Sequence, residues 1–388
     1  MKMWSKQNLL LLLIIVYYLQ GTVYEIPAVS QTIVFVIIYI FTAAAINLNK
    51  KRIHNPTIRS FNFFICYIII SFILTSIFKG SLLWKDIQTL KFYFLAMMPL
   101  YYFYEAGYNN KLSSKYLLIL LVSYSIISVF QFSVFKTTML QAASREYDVV
   151  NNISYNFVSL MPLALILFDK SKITKYIYIV IIFMIMESIK RGALLCLGGG
   201  LFVFMIYYNK LQKLNKKSIL KALGVVVVLF AAAGYLLLTN EAFMNRFVDV
   251  EENTSGRDII YEVMTNYFMN KNTLIAFTIG NGFNSTLNIL GFPAHNDILE
   301  TLFCYGFIGL GLYLNLMWSM IVSFKRNNYL EYKYAILSVF TVWALKTMTT
   351  GVMTGESTLL LTATLGYSLG VFDGNKYKIK SPSNLLYK

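Results

Sequence analysis

Long apolar runs, each closed off by a few charged or turn-forming residues, follow one another along nearly the whole chain. A helix needs roughly 17–25 residues, at 1.5 Å rise each, to cross a hydrocarbon core. Runs that approach or reach that length fall at 7–24, 28–46, 61–78, 90–106, 116–134, 155–168, 176–190, 191–208, 219–238, 297–324, 334–350 and 357–372. The pattern predicts an all-α, polytopic transmembrane bundle of about twelve helices. It forms one integral membrane domain over 1–388, with no Pro- or Ser-rich linker and no visible repeat. The run at 8–20, behind Lys2 and Lys6, has the basic start and short apolar core of a signal peptide. No small-x-small cleavage site follows it, so a retained first helix is expected.

Two polar stretches interrupt the runs on one side. The smaller, 135–156, carries Arg145, Glu146 and Asp148, and the larger, 239–296, is the one segment of soluble character. Loops of that length in a compact protein are usually functional. Inside it Ile259, Ile260, Val263, Met264, Tyr267 and Phe268 recur at helical spacing, behind a Ser255-Gly256-Arg257-Asp258 start signal. A short amphipathic helix is expected there, on the membrane surface or over the mouth of the bundle. The stretches 278–283 and 291–293 have turn composition. The run that follows is expected to continue unbroken from Asp297 to about Phe324. Counting about twenty residues back from its far end reaches Tyr305, which leaves His295 about 10–15 Å higher, at headgroup depth.

Composition agrees with this picture and removes the soluble classes. Apolar residues make up 57% of the 388, charged residues 13%, and mean hydropathy is +0.59. The net charge of +16 would suit nucleic acid if it were spread over a soluble surface. Instead it sits in short inter-helix loops, such as Lys50 to Arg52, Lys170 to Lys175, Lys210 to Lys221, Lys325 to Lys333 and Lys376 to Lys380. All of these share one side when the helices alternate. That bias predicts that both termini are cytoplasmic, and it makes a nucleic-acid partner unnecessary. Cys66, Cys196 and Cys304 lie within apolar runs without metal-ligand spacing and are expected to pack in the core.

Candidate chemistry gathers at the opposite, outer side. His54 lies in a basic cytoplasmic loop and suits a solvated bystander. His295 precedes a long helix at the outer interface, where a side chain titrating near neutrality serves either as a general base or as a hydrogen-bonding scaffold. Arg191 stands where two apolar runs meet; an Arg at that depth is a functional candidate or an anchor snorkelling to headgroups. Arg257 falls in the first turn of the loop helix, where a guanidinium and free backbone N–H groups converge on an anion, unless it is simply solvated. Lys346 and Glu356 flank the outer end of one helix and are candidates for an ion pair. Asp297 and Glu300 lie in the first turns of their helix and suit its dipole without any catalytic role. Phosphate-loop, dinucleotide-glycine, HExxH, GxSxG and Asp-x-Asp signatures are all missing from the sequence.

Four of these segments together resemble the O-antigen polymerase and O-antigen ligase superfamily. Ala294-His295-Asn296-Asp297-Ile298-Leu299-Glu300, running into Tyr305-Gly306-Phe307-Ile308-Gly309-Leu310, is similar to the family's His-Asn helix start with Gly after ten residues and again three later. Ile189-Lys190-Arg191-Gly192-Ala193-Leu194-Leu195 resembles its Ser-Arg-Gly-Ala-Leu-Leu element, and Ser255-Gly256-Arg257 its Ser-Gly-Arg element. Gly280-Asn281-Gly282-Phe283 is similar to the Gly-x-Gly turn before the His. Two positions depart: Lys190 replaces the usual Ser, and Asn156 stands eleven positions after Arg145, where some polymerases have Gly.

The resemblance implies an inverting glycosyltransferase that needs no metal or cofactor. It would act on polyprenyl-diphosphate-linked glycans at the outer face of a bacterial cytoplasmic membrane, building O-antigen or capsule. It further implies Arg191 and Arg257 as diphosphate ligands and His295 as base, with Lys190, Asp297, Glu300 and Lys346 as secondary candidates. The implied partners are the lipid-linked donor and acceptor oligosaccharides, membrane lipid and a chain-length regulator. The short chain and the Asn-Asp after the His favour a polymerase over a ligase that moves a finished glycan to another acceptor. A lipid-linked glycan flippase is the alternative from another class; internal repeats or charges at mid-membrane depth would mark it.

Overall fold

A computed structural model describes residues 6–23, 27–50, 55–79, 84–142, 153–188, 190–212, 257–271, 273–353, 355 and 357–380. Every regular element among them is helical. The helices are α1 (Lys6–Val23), α2 (Pro27–Lys50), α3 (Pro56–Lys79), α4 (Trp84–Met97), α5 (Pro99–Tyr108), α6 (Ser114–Ala142), α7 (Ser154–Leu167), α8 (Lys172–Glu187) and α9 (Arg191–Gln212). They continue with α10 (Arg257–Lys271), α11 (Leu274–Ile279), a π-helical turn (Thr286–Leu290), α12 (Asp297–Arg326), α13 (Leu330–Thr349) and α14 (Thr358–Lys380). Five carry segments long and apolar enough to cross a bilayer: Ser30–Leu48, Pro56–Phe78, Ser114–Phe135, Arg191–Gln212 and Asp297–Arg326. The chain is a helical membrane protein. The run expected at 219–238, together with His54, Arg145 and Glu356, lies outside the described residues.

Three expectations need correction. The run at 90–106 is two helices, because Pro99 has no N–H to continue the ladder of α4. The run from Asp297 is broken rather than continuous: Gly306 sits at φ 63°, ψ −165° inside α12. Cys66 is exposed on α3, not packed in the core, whereas Cys196 and Cys304 are buried.

The bundle is built around α14, whose residues Thr358 to Gly370 are all buried. Its closest neighbour is α5. Gly366, Gly370 and Gly374 recur every four residues, and a Cβ on any of them would run into the α5 backbone at Leu100, Tyr104 or Tyr108. Where lipid surrounds the helices, close backbone approach of this kind replaces the hydrophobic drive that assembles soluble bundles. Buried polar pairs fix the ends. At one end, where α3 starts and α12 and α14 finish, the hydroxyls of Thr57 and Ser323 share a bond of 2.7 Å, and Asn55 donates to Asp373 at 2.7 Å. At the other end the starts of α7, α9, α12 and α14 meet the finish of α13.

Candidate functional site

The site begins with the broken helix. With Gly306 out of helical geometry, the carbonyls of Phe303, Cys304 and Tyr305 lose their usual partners. Each finds another: Asn281 N–H donates to Phe303 at 3.0 Å, Gly282 N–H to Cys304 at 3.1 Å, and the Tyr67 hydroxyl to Tyr305 at 3.2 Å. The 280–282 backbone is thus welded to the kink. Gly280 lies directly on the Cys304–Tyr305 peptide, so neither glycine of this contact has room for a side chain.

From there the chain turns sharply. Gly280, Gly282, Asn284, Gly291 and His295 all have positive φ, and His295, at 53°, is the last before α12. For an L-residue this is a strained backbone that persists only when its surroundings fix it. The fixing groups are visible. The Thr75 hydroxyl on α3 accepts from Phe283 N–H at 2.8 Å, and the Asp86 carboxylate on α4 accepts from the amides of Asn284 and Asn288, each at 2.9 Å. Glu300 accepts from the Thr286 hydroxyl and, at 2.6 Å, from the Ala294 N–H. The Asn296 side chain caps α12 by accepting from Ile298 N–H at 2.9 Å and Leu299 N–H at 3.3 Å. His295 is therefore held on both flanks while its own side chain is exposed.

A second cluster adjoins the first through Asp297. This buried carboxylate accepts from Val352 N–H at 2.6 Å and from the hydroxyls of Tyr313 at 3.1 Å and Thr347 at 3.4 Å. Lys346 is also buried and attracts Asp297 electrostatically. It donates to Ser357 at 2.6 Å and Thr358 at 3.5 Å, while the ion pair expected with Glu356 falls outside the described residues. Its ammonium lies 5.5 Å from the centre of the Tyr155 ring, and that of Lys190 lies 5.9 Å from the same ring. Arg191, exposed, opens α9 beside them, and Gly192 fits against the Tyr155 hydroxyl and Thr349.

Lys190 and Lys346 thus meet at Tyr155, with Arg191 one residue on and Asp297 linked to them through Lys346. His295 and Glu300 belong to the adjoining loop. Arg257 opens α10, which covers that loop through Ile260, Met264 and Tyr267 against Ala294, Leu299 and Phe303; its side chain is outside the described residues. The expected loop helix is therefore present, over the mouth of the bundle. Cations and four helix N-termini at one bundle end make an environment that favours an anion. Asp297 and Glu300 do more than offset a helix dipole: each is occupied as an acceptor that holds backbone. Sequence reasoning missed Tyr155, Thr286, Asn284 and the role of Asp86. Only Asp86 left a signal, as a lone acid at the edge of an apolar run. Among the described residues no three His, Cys, Asp or Glu side chains gather as metal ligands would. Comparison with models of known protein families and with curated proteins found no match to this chain.

Proposed function

We propose that the chain is a polysaccharide polymerase, an inverting glycosyltransferase that joins polyprenyl-diphosphate-linked repeat units at the outer face of a bacterial cytoplasmic membrane. The observation that carries the proposal is His295: an exposed imidazole on a strained, left-handed backbone, held by Glu300 and Asn296 on either side, at the bundle end where Lys190, Arg191 and Lys346 collect. Strain held in place at one exposed polar residue is characteristic of functional sites. The resemblance of the same segments to O-antigen polymerases supports the reading from the sequence.

In the proposed reaction the imidazole of His295 takes the proton of the acceptor hydroxyl as its oxygen attacks the anomeric carbon. The glycosidic bond to the diphosphate breaks, and the lipid diphosphate leaves from the opposite face. Such a leaving group needs neutralisation more than protonation, and the guanidiniums of Arg191 and Arg257 supply it. The Lys/Arg bias of the loops supports a reading in which this end of the bundle faces outside the cell and both termini lie inside. A flippase is less well supported, because among the described residues the buried charges Asp86, Asp297 and Lys346 cluster at the same bundle end rather than in a line across it. The direct test incubates purified protein with lipid-diphosphate repeat units in the presence of excess chelator. A ladder of products on a gel supports the proposal. Transfer of preformed glycan to a different acceptor, a strict need for a divalent ion, or no transfer at all would reject it.

A further inference from the structure

The segment between the two apolar faces of the bundle carries side chains that the site leaves unused. On α11, Leu274 is 82% exposed, Ile275 69% and Ile279 44%, and Met269, at the adjoining end of α10, is 68% exposed. In a polar loop over water such a cluster would be costly.

Two observations say what covers it. First, its depth is fixed. The backbone that follows α11 is welded at Gly280 to Gly306, and from Gly306 to Arg326 the helix measures about 30 Å, the thickness of a hydrocarbon core. With Lys325 and Arg326 at one boundary, α11 lies at the other. Second, the cluster is continuous with surfaces that face lipid. On one side the Tyr67 hydroxyl of α3 donates to the Ile279 carbonyl at 3.2 Å, and α3 goes on to expose Ile70, Ile73, Leu74 and Ile77. On the other side Phe268 packs edge-to-face on Phe277, with ring centres 4.4 Å apart, and meets Phe307 of α12, itself 57% exposed.

We propose that α11 and the end of α10 form an in-plane membrane anchor, with Met269, Leu274, Ile275 and Ile279 inserted among the acyl chains of the nearer leaflet. Glu262, exposed on α10, stays in water. The anchor does not depend on the chain being a glycosyltransferase. Its effect is to seat the strained loop and its kink at the membrane boundary, like other interfacial helices that bury an apolar face to a depth of about 5–10 Å.

The test uses full-length protein in phosphatidylcholine nanodiscs, in a Cys66→Ser background. An environment-sensitive fluorophore is attached at Ile275→Cys or at Glu262→Cys. A lipid spin-labelled near its headgroup should quench the fluorophore at 275 at least about twofold more than at 262, and aqueous iodide should do the reverse. Leu274→Cys supplies the same measurement if Ile275→Cys elutes as aggregate. Iodide quenching at 275 equal to that at 262 would overturn the anchor and turn this face to water. Protection at 275 from both quenchers would overturn it too, by showing the face covered by protein, such as a second copy of the chain.

Discussion

His295 separates two roles that a single residue usually confounds, because its backbone conformation and its imidazole make independent demands. A φ of 53° costs a non-glycine residue on the order of 1 kcal/mol, and glycine escapes that cost. Both His295→Ala and His295→Gly should therefore lose turnover by about 10²–10⁴, the usual consequence of removing a general base. They should differ in stability, the glycine variant melting above the alanine variant. Near wild-type turnover in either would remove His295 from the chemistry, and identical melting points would mean that its backbone is not strained. For Arg191, exposed at the start of α9, charge alone is not enough at a diphosphate. Arg191→Lys keeps an ammonium but not the planar fork, so donor binding and turnover should both fall; normal values would leave Arg191 as an interfacial anchor. The sequence showed His295 and Arg191 through residue type and position. It did not show Tyr155, because an aromatic at the start of an apolar run carries no mark of the two ammoniums that flank its ring.

Most element boundaries were legible because lipid demands long apolar runs and loops interrupt them with charge. What hydropathy cannot register is a break inside an apolar run. Gly306, Gly309 and Gly311 look alike in α12, yet only Gly306 leaves helical geometry, since only there does a second segment arrive to use the freed carbonyls. The partner that decides this, Gly280, is 26 positions earlier, which no local pattern reports. Sequence separation also explains why Asp297 looked like a dipole acid: its acceptor role toward Val352, 55 positions on, exists only after folding. The weld gives a sharp contrast between glycines. A Cβ at Gly306 would lie 2.5 Å from the backbone at both Gly280 and Thr278, neither of which can move aside, whereas one at Gly311 would meet nothing within 4 Å. Gly306→Ala should cost about 1–3 kcal/mol or more through overpacking and release the loop, so that trypsin cuts at Lys271 faster. Gly311→Ala should leave both stability and cleavage unchanged. Equal effects from the two substitutions would mean that the contact between Gly280 and Gly306 holds nothing together.

At the scale of the whole molecule, the glycines of α14 show what a single sequence displays and what it withholds. The spacing of Gly366, Gly370 and Gly374 is plain, but that α5 is the helix they admit follows only from the packed bundle. Orientation is the reverse case, because geometry is indifferent to which end of a bundle faces the cytoplasm and the decision rests on Lys and Arg. Basic residues such as Lys170, Lys210, Lys325 and Arg326 lie at the end opposite His295. The positive-inside bias then predicts an outward-facing loop. The structure also decides which positions can report it. Asn284 is buried against Asp86 and would label poorly from either side, while Asn266 on α10 and Asn328 between α12 and α13 are both exposed. In a Cys66→Ser background, a membrane-impermeant maleimide added to intact cells should modify Asn266→Cys and spare Asn328→Cys until the membrane is opened. The opposite pattern would put His295, Arg191 and Lys190 in the cytoplasm. A polymer assembled there would need a different donor geometry and a later export step, so the proposed reaction at the outer face would fall with the topology.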